Sequence, residues 1–147
     1  MEIRTFVDID ATPARVWSLL ADFAGYDRWN PMLKRVRGQP RIGSTVRFAV
    51  AARPLPLAVP LTAEVITVEP QRELAWLGPA RPRALRRVVS GEHWFRLTAT
   101  SSGTHFEHGE VFRGAAMPAR WDRLEAAMVP AYEAMNRALK REAESRA

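Results

Sequence analysis

Hydrophobic and polar residues alternate at the start of the chain and then change to a helical spacing. Ile3, Thr5, Val7 and Ile9 lie on one face of residues 2–9, which predicts a strand. Thr12-Pro13 fits the first residues of a helix, with Thr as the N-cap and Pro in the first turn. A second, short helical turn is predicted over residues 26–29, and Asn30-Pro31 ends it.

A long β region occupies the middle of the chain. Its first strands are predicted over residues 32–38, 44–52, 61–68 and 73–77. We place Pro54, Pro56 and Pro60 in an extended, irregular connection, because proline lacks the N–H group that a sheet ladder needs. Residues 88–100 and 104–113 are predicted to form a long hairpin around Ser101-Ser102-Gly103.

The last segment returns to a helical period. Its apolar residues recur at intervals of three and four, which predicts one helix from Pro118 to about Glu144, roughly 40 Å long. Pro130 lies inside this helix and removes a hydrogen-bond donor, so we expect a kink there. The apolar stripe consists of Met117, Trp121, Leu124, Met128, Tyr132, Met135 and Leu139.

This order of elements predicts an α+β fold. A curved antiparallel sheet of six to seven strands, two short helices after the first strand and a long C-terminal helix across the sheet satisfy the pattern. A straight helix cannot contact a curved sheet along its whole length. The space between the two is therefore either filled by large side chains or left as an apolar pocket, for which the flexible side chains of Met117, Met128 and Met135 would make an adaptable wall.

Composition excludes several classes of protein. The chain has 147 residues, of which 47% are hydrophobic and 26% charged, so we expect one globular domain over residues 1–147 and no intrinsic disorder. There is no cysteine, which excludes disulfides and thiolate catalysis. No apolar run approaches the roughly 20 residues of a membrane-spanning helix, and the first ten residues include acids, unlike a secretory leader. We expect a cytoplasmic protein without stable membrane insertion.

The net charge of +6 raises the question of nucleic acid, but the basic residues are interleaved with acids and no nucleic-acid motif is present. We therefore predict no nucleic-acid partner. The densest basic patch is Arg81–Arg87. It suits an anionic head group or the phosphopantetheine of a carrier protein, whereas the simpler interpretation, which we favour, is a loop that faces water.

The late hairpin holds the residues with chemical potential. If Ser102-Gly103 is a two-residue turn, Phe95 lies opposite Glu110, Leu97 opposite His108, and His93 opposite Phe112. His93, His108 and Glu110 then share one face with Phe95, Leu97, Phe106 and Phe112, while His105 and Glu107 lie on the other face.

Two interpretations of this polar group remain open. His108 and Glu110 can act as an acid–base pair that promotes enolisation and dehydration of a poly-ketone. Alternatively, the three residues form a hydrogen-bonded network that ties the strands together, which is the commoner role of polar pairs on strands. We predict no metal site, because only this register-dependent trio is available.

Several motifs in order along the chain resemble one family. They are residues 10–17 (DATPARVW), Trp29-Asn30-Pro31, residues 73–78 (ELAWLG), 91–97 (GEHWFRL), 103–114 (GTHFEHGEVFRG) and 132–140 (YEAMNRALK). The chain resembles the START-like helix-grip superfamily, often grouped as SRPBCC, and within it the polyketide cyclase/dehydrase-type lipid-binding branch.

The resemblance implies a cavity for a hydrophobic small molecule or lipid, and no cofactor. The leading hypothesis is binding or carriage of such a ligand; the alternatives are a cofactor-free cyclase or dehydrase using His108 and Glu110, and a partner-binding module without ligand. An acyl carrier protein and a second copy of the chain stay open as partners. We expect the pocket to be lined by Phe48, Trp76, His93, Phe95, Leu97, Phe106, Phe112, Trp121, Leu124, Met128, Tyr132 and Met135.

Overall fold

The sheet and the C-terminal helix follow the predicted architecture. The computed structural model describes residues 1–52 and 58–145. The strands are β1 (Glu2–Ile9), β2 (Leu33–Arg37), β3 (Thr45–Val50), β4 (Val59–Glu69), β5 (Glu73–Gly78), β6 (Ser90–Ala99) and β7 (Thr104–Arg113). The α-helices are α1 (Pro13–Ala21), α2 (Tyr26–Trp29) and α3 (Trp121–Glu144), and short 3₁₀ helices cover Phe23–Gly25, Arg83–Arg87 and Pro118–Arg120.

All seven strands form one antiparallel sheet in the order β1-β7-β6-β5-β4-β3-β2. The predicted helix-grip fold is therefore confirmed. At the start of α1, the Thr12 hydroxyl accepts a hydrogen bond from the Arg15 N–H at 3.3 Å, which makes Thr12 the expected N-cap. Among the described residues, no helix is long and apolar enough to cross a membrane.

Helix α3 has two differently packed halves. Its C-terminal half is fixed to the start of the chain: Lys140 Nζ donates to the Asp8 carbonyl at 2.7 Å, and Arg15 donates to the Glu142 carbonyl at 3.1 Å. Its N-terminal half, with half-buried Leu124 and buried Met128, lies over an open cavity instead. The C-terminal half of α3, fixed in this way, holds the N-terminal half above the sheet.

The predicted register of the β6–β7 hairpin is wrong by two residues. His93 pairs with Glu110 and Phe95 pairs with His108, because Ala99 and Thr104 are the last paired residues and the loop between them has four residues rather than two. A shift of two residues preserves the face on which each side chain lies. The predicted grouping of His93, His108 and Glu110 on one face is therefore correct, although the predicted pairing is not.

Several element boundaries also differ from the prediction. Pro60 lies inside β4, paired with Ala49, rather than in the preceding connection. Strand β5 pairs with β4 only from Glu64 onward, so β4 has a single neighbour at Pro60 and tolerates the missing donor. Pro54 and Pro56 lie outside the described residues. Residues 83–87 form a 3₁₀ helix instead of a loop and strand start, and α3 proper begins at Trp121 after a 3₁₀ turn at Pro118.

Trp94 covers the outer face of the sheet. It lies opposite Gly109, where a side chain would collide with the indole ring. The guanidinium groups of Arg4 and Arg96 lie over the ring, with Cζ atoms 5.7 and 4.2 Å from its centroid. Trp94 is only 2% exposed, so the chain itself covers this indole ring on the outer face.

Candidate functional site

An apolar cavity of about 380 Å³ lies between the sheet and the N-terminal half of α3. Its wall is made by aliphatic and aromatic side chains, and the strongly polar groups on it are Glu110 and His93. Of the residues predicted to line a pocket, those on the wall are Phe48, Trp76, His93, Phe112, Leu124 and Met128.

The remaining predicted residues lie elsewhere. Trp121 is half-buried and packs edge-on against Phe112, with ring centroids 5.8 Å apart. The others belong to the closed core behind the cavity: Phe95, Leu97, Phe106, Tyr132, Met135 and the candidate catalytic residue His108. Their face was predicted correctly, but their position along the strands and helix places them beyond the cavity.

Sequence reasoning missed most of the cavity mouth. Val59, Leu61 and Ala63 on β4 alternate and reach the wall, a signal that the strand pattern contained. Leu85 and Val89 also line the cavity: Leu85 lies within a run of arginines, and Val89 belongs to the predicted strand over residues 88–100, which in the structure begins only at Ser90. The other wall residues are Met32, Leu33, Val50, Thr62, Gly78, Pro79, Ser90 and Gly91.

Behind the wall, one chain of hydrogen bonds links β1, β6, β7 and α3. The Thr5 hydroxyl donates to the His108 carbonyl at 3.1 Å and accepts from Asn136 Nδ2 at 2.8 Å. Asn136 Oδ1 lies 2.9 Å from His108 Nδ1, and His108 Nε2 lies 3.0 Å from His93 Nε2. His93 Nδ1 is 3.3 Å from Glu110 Oε2, to which the Tyr132 hydroxyl also donates. The network ends at the carboxylate on the cavity wall.

The hydrogen bonds of Thr5 determine which group donates at each following step of this chain. The single Thr5 hydroxyl proton goes to a carbonyl, so Asn136 must donate its amide to Thr5 and present its oxygen to His108. His108 Nδ1 therefore carries a proton. Burial, followed by the neighbouring His93, holds the pKa of His108 well below its usual range, so the ring is neutral and its Nε2 accepts. His93 must then donate from its own Nε2.

The hydrogen bond between His93 Nδ1 and Glu110 Oε2, 3.3 Å apart, requires one proton between these two atoms. With Nε2 donating, His93 Nδ1 faces Glu110 either as a bare acceptor opposite a protonated carboxyl or as an N–H opposite a carboxylate. Both arrangements contain the same number of protons. Burial, and then the charge of Glu110, raises the pKa of Tyr132 well above its usual range, so its hydroxyl stays protonated and donates to Glu110 in either arrangement.

Aromatic side chains stack on the two histidine rings of the network, His93 and His108. Trp76 stacks on His93 with ring centroids 5.0 Å apart and an angle of 7° between the planes, and Tyr132 stacks on His108 at 4.2 Å and 6°. His93 is 4% exposed and His108 is fully buried, so of these two rings only His93 reaches the cavity. Among the described residues, no group of three His, Asp or Glu side chains has the arrangement of a metal site.

Comparisons with known proteins agree with this architecture. The Zhui aromatase/cyclase from Streptomyces sp. R1128 matches with a TM-score of 0.76 and 22% identity, over 98% of this chain and 93% of that one. A START superfamily protein from Mycobacterium smegmatis matches with a TM-score of 0.75 and 15% identity, over 97% of each chain. The di-domain ARO/CYC BexL of the BE-7585A biosynthetic pathway matches with a TM-score of 0.75 and 16% identity, over all of this chain and 51% of that chain.

At these identities the solved structures show a shared fold. No curated protein matches the sequence. The family model described as polyketide cyclase / dehydrase and lipid transport matches residues 1–144, nearly the whole chain. The family description supports a role in hydrophobic ligand binding or in cyclisation. The match of the family model to residues 1–144 shows that the chain belongs to the polyketide cyclase/dehydrase and lipid transport family, in agreement with the fold, the hairpin and the C-terminal helix.

Proposed function

We propose that the protein binds and carries an apolar small molecule that has one polar group at one end. The observation that carries this proposal is the cavity of about 380 Å³, whose apolar wall holds the Glu110–His93 pair. Cavities of roughly 300–1,000 Å³ with a few fixed polar groups are the common form of small-molecule sites. The volume suits a molecule of two or three fused rings or a short acyl chain.

The chemistry of the pair narrows the ligand class. Because one proton is shared, Glu110 can either donate to a ketone oxygen or accept from a hydroxyl without a change in the total number of protons. A phenol, an alcohol or a ketone is therefore matched at this end. A permanently charged group is not matched, because the surrounding wall is apolar and Glu110 and His93 together carry no net charge in either arrangement.

Native mass spectrometry of the purified chain tests ligand carriage. We expect a co-purified small molecule, or saturable uptake of 2-naphthol, and we expect Leu124→Trp to abolish both by filling the cavity from α3. A suitable control is Glu133→Trp, which adds the same ring to an exposed position of the same helix. Uptake that Leu124→Trp leaves unchanged would exclude the cavity as the binding site.

A cofactor-free cyclase or dehydratase is the second candidate, favoured by the shared proton between Glu110 and His93. In the ion-pair form, the Glu110 carboxylate removes a proton from the carbon next to a ketone. The imidazolium of His93 gives its Nδ1 proton to the hydroxyl on the neighbouring carbon, which leaves as water while a C=C bond forms. Glu110 is then protonated and His93 neutral, and transfer of that proton to Nδ1 restores the pair.

This assignment replaces His108 by His93 as the partner of Glu110, because His108 lies behind the wall and contacts the cavity only through His93. A β-hydroxy ketone attached to an aromatic ring is a suitable test substrate, with release of the enone followed by absorbance. If the chain is an enzyme, Glu110→Gln abolishes product while 2-naphthol binding persists. No product from the wild-type chain would leave carriage as the function.

The third alternative, a partner-binding module without ligand, predicts a pocket filled by side chains. The open cavity argues against it.

A further inference from the structure

The mouth of the cavity is both apolar and basic. Five aliphatic residues on β4 and on the segment after β5 are 38–46% exposed: Val59, Leu61, Leu85, Val88 and Val89. Four of them also line the cavity, so the apolar interior continues onto the surface at this place. Exposed aliphatic residues that surround an opening mark a contact surface more clearly than scattered ones do.

The charge around this mouth is positive. Residues 78–91 contain four arginines and no acidic residue. Arg83 and Arg86 share Glu64, at 2.9 and 3.2 Å, and these arginines lower the pKa of that carboxyl. Arg81 and Arg87 are exposed and form no ion pair within the described part of the chain. Exposed Arg35 and Arg47 line a separate groove, which shares Phe48 and Leu61 with the cavity wall.

We propose that this mouth docks onto an anionic lipid bilayer, so that the ligand passes between cavity and membrane without crossing water. The inference rests on ligand carriage as proposed above. Aliphatic side chains enter the interface between head groups and acyl chains, while surrounding arginines bind anionic lipid head groups. A protein partner is a weaker match, because the exposed apolar residues here are aliphatic, whereas protein interfaces concentrate their binding energy in Trp and Tyr.

Co-sedimentation of the full chain with vesicles tests the proposal. We expect binding to phosphatidylcholine vesicles that contain phosphatidylserine, and little binding to phosphatidylcholine alone. Arg81→Gln and Arg87→Gln should each weaken the partition about fivefold, since an arginine near an anionic surface contributes about one kcal/mol. Leu85→Asp combined with Val89→Asp should remove binding. We expect bound protein to fall as salt is raised.

Matched substitutions away from the mouth separate docking from general effects. Arg72→Gln changes an exposed arginine in the β4–β5 turn, and Phe6→Asp changes an exposed apolar residue on edge strand β1. Both should bind vesicles like the wild type. Equal binding to neutral and anionic vesicles, no vesicle binding, or equal loss in the two controls would overturn the proposal. Mouth-dependent binding to a purified acyl carrier protein in place of vesicles would also overturn it.

Uptake of 2-naphthol, measured without vesicles, keeps this test apart from that of ligand carriage. Normal uptake together with no vesicle binding would refute the docking surface alone. Absence of both would refute the carriage on which it rests.

Discussion

The carboxylate of Glu110 occupies the space that a side chain on Gly91 would fill. A Cβ atom built on Gly91 overlaps Oε1 of Glu110, the far end of a flexible side chain. The glycine thus gives the carboxylate a position at the cavity wall from which it reaches His93 and Tyr132.

Gly91→Ala should displace this carboxylate while leaving the fold intact, because a flexible side chain is what yields. We expect affinity for 2-naphthol to fall about tenfold, the loss of roughly one hydrogen bond to an ionisable group, and affinity for 2-methylnaphthalene to stay unchanged. Fluorescence titration with the two probes measures the difference. Gly78→Ala is the matched control, because Gly78 pairs with Gly91 and lines the same cavity. A Cβ atom on Gly78 would meet the Thr62 carbonyl oxygen at 3.3 Å rather than the Glu110 carboxylate. An equal loss for both probes would contradict the explanation.

The proton positions in the buried network are open to direct measurement. We expect ¹⁵N NMR of the imidazoles to show His108 protonated on Nδ1 only and His93 protonated on Nε2. Thr5→Val removes the group that orients Asn136, so His108 should then populate both tautomers. His105, a half-buried ring beside Asp8, serves as the internal reference because it lies outside the network and does not contact Thr5. A proton on His108 Nε2 in the wild-type protein would refute the assigned directions.

Removing Asn136 should lower the stability of the fold. Asn136→Leu keeps the volume but deprives the His108 Nδ1–H of its acceptor and Thr5 of its donor, in a buried site. Leaving a buried polar group without a partner costs about 1–3 kcal/mol. Urea unfolding measures the change, and Arg137→Leu, at an exposed position on the same helix, is the control. A cost below about half a kcal/mol would indicate that the network contributes little.

His108 should make the protein less stable as the pH falls. Its pKa in the folded protein is well below the ordinary value near 6.5, so below pH 6.5 the unfolded chain binds a proton that the folded chain does not. This residue therefore contributes its full stability above about pH 6.5, and the free energy of unfolding decreases by up to about 1.4 kcal/mol per pH unit below it.

Unfolding in urea at a series of pH values measures this slope. His105→Gln, which removes a half-buried histidine outside the network, should leave most of this slope in place. An NMR titration in which His108 takes up a proton near pH 6.5 would show that the ring is not neutral by burial.

Pro130 remains the predicted site of a kink in α3, which runs through it from Trp121 to Glu144. Pro130→Ala restores a backbone donor and should straighten the helix, which lowers its N-terminal half toward the sheet. We expect a smaller cavity and weaker 2-naphthol binding. A crystal structure of the variant with an unchanged cavity volume would show that the proline only shapes the outer surface.

The sequence predicted the fold because its periods are strong: alternation in β1 and the three-four spacing of α3 determine which faces are buried. It also predicted that His93, His108 and Glu110 share a face, since a register error of two residues leaves faces unchanged. Depth along the cavity was not predictable. His93 and His108 lie on the same face of neighbouring strands, yet His93 reaches the cavity and His108 does not. Whether a side chain on this face reaches the cavity depends on where α3 leaves the sheet, and no local sequence pattern encodes that point.

The residues at the mouth of the cavity were not predicted from the sequence for a related reason. Leu85 lies among the arginines of residues 81–87, and a segment of that composition suggests a solvent-facing loop, whereas Val89 was assigned to a strand that in the structure begins one residue later. Their position at the opening follows from the 3₁₀ helix at residues 83–87, which Glu64 holds through Arg83 and Arg86.

The equal proton count of the two His93–Glu110 arrangements has a consequence for how the site responds. Since no proton enters or leaves when one arrangement becomes the other, acidity of the medium does not decide between them. The polarity of whatever fills the space beside Glu110 does: water favours separated charges, and an oily guest favours the uncharged form. Occupation of the cavity by an apolar guest would thus favour the uncharged arrangement of the His93–Glu110 pair, so the polarity of the wall would follow that of the bound molecule.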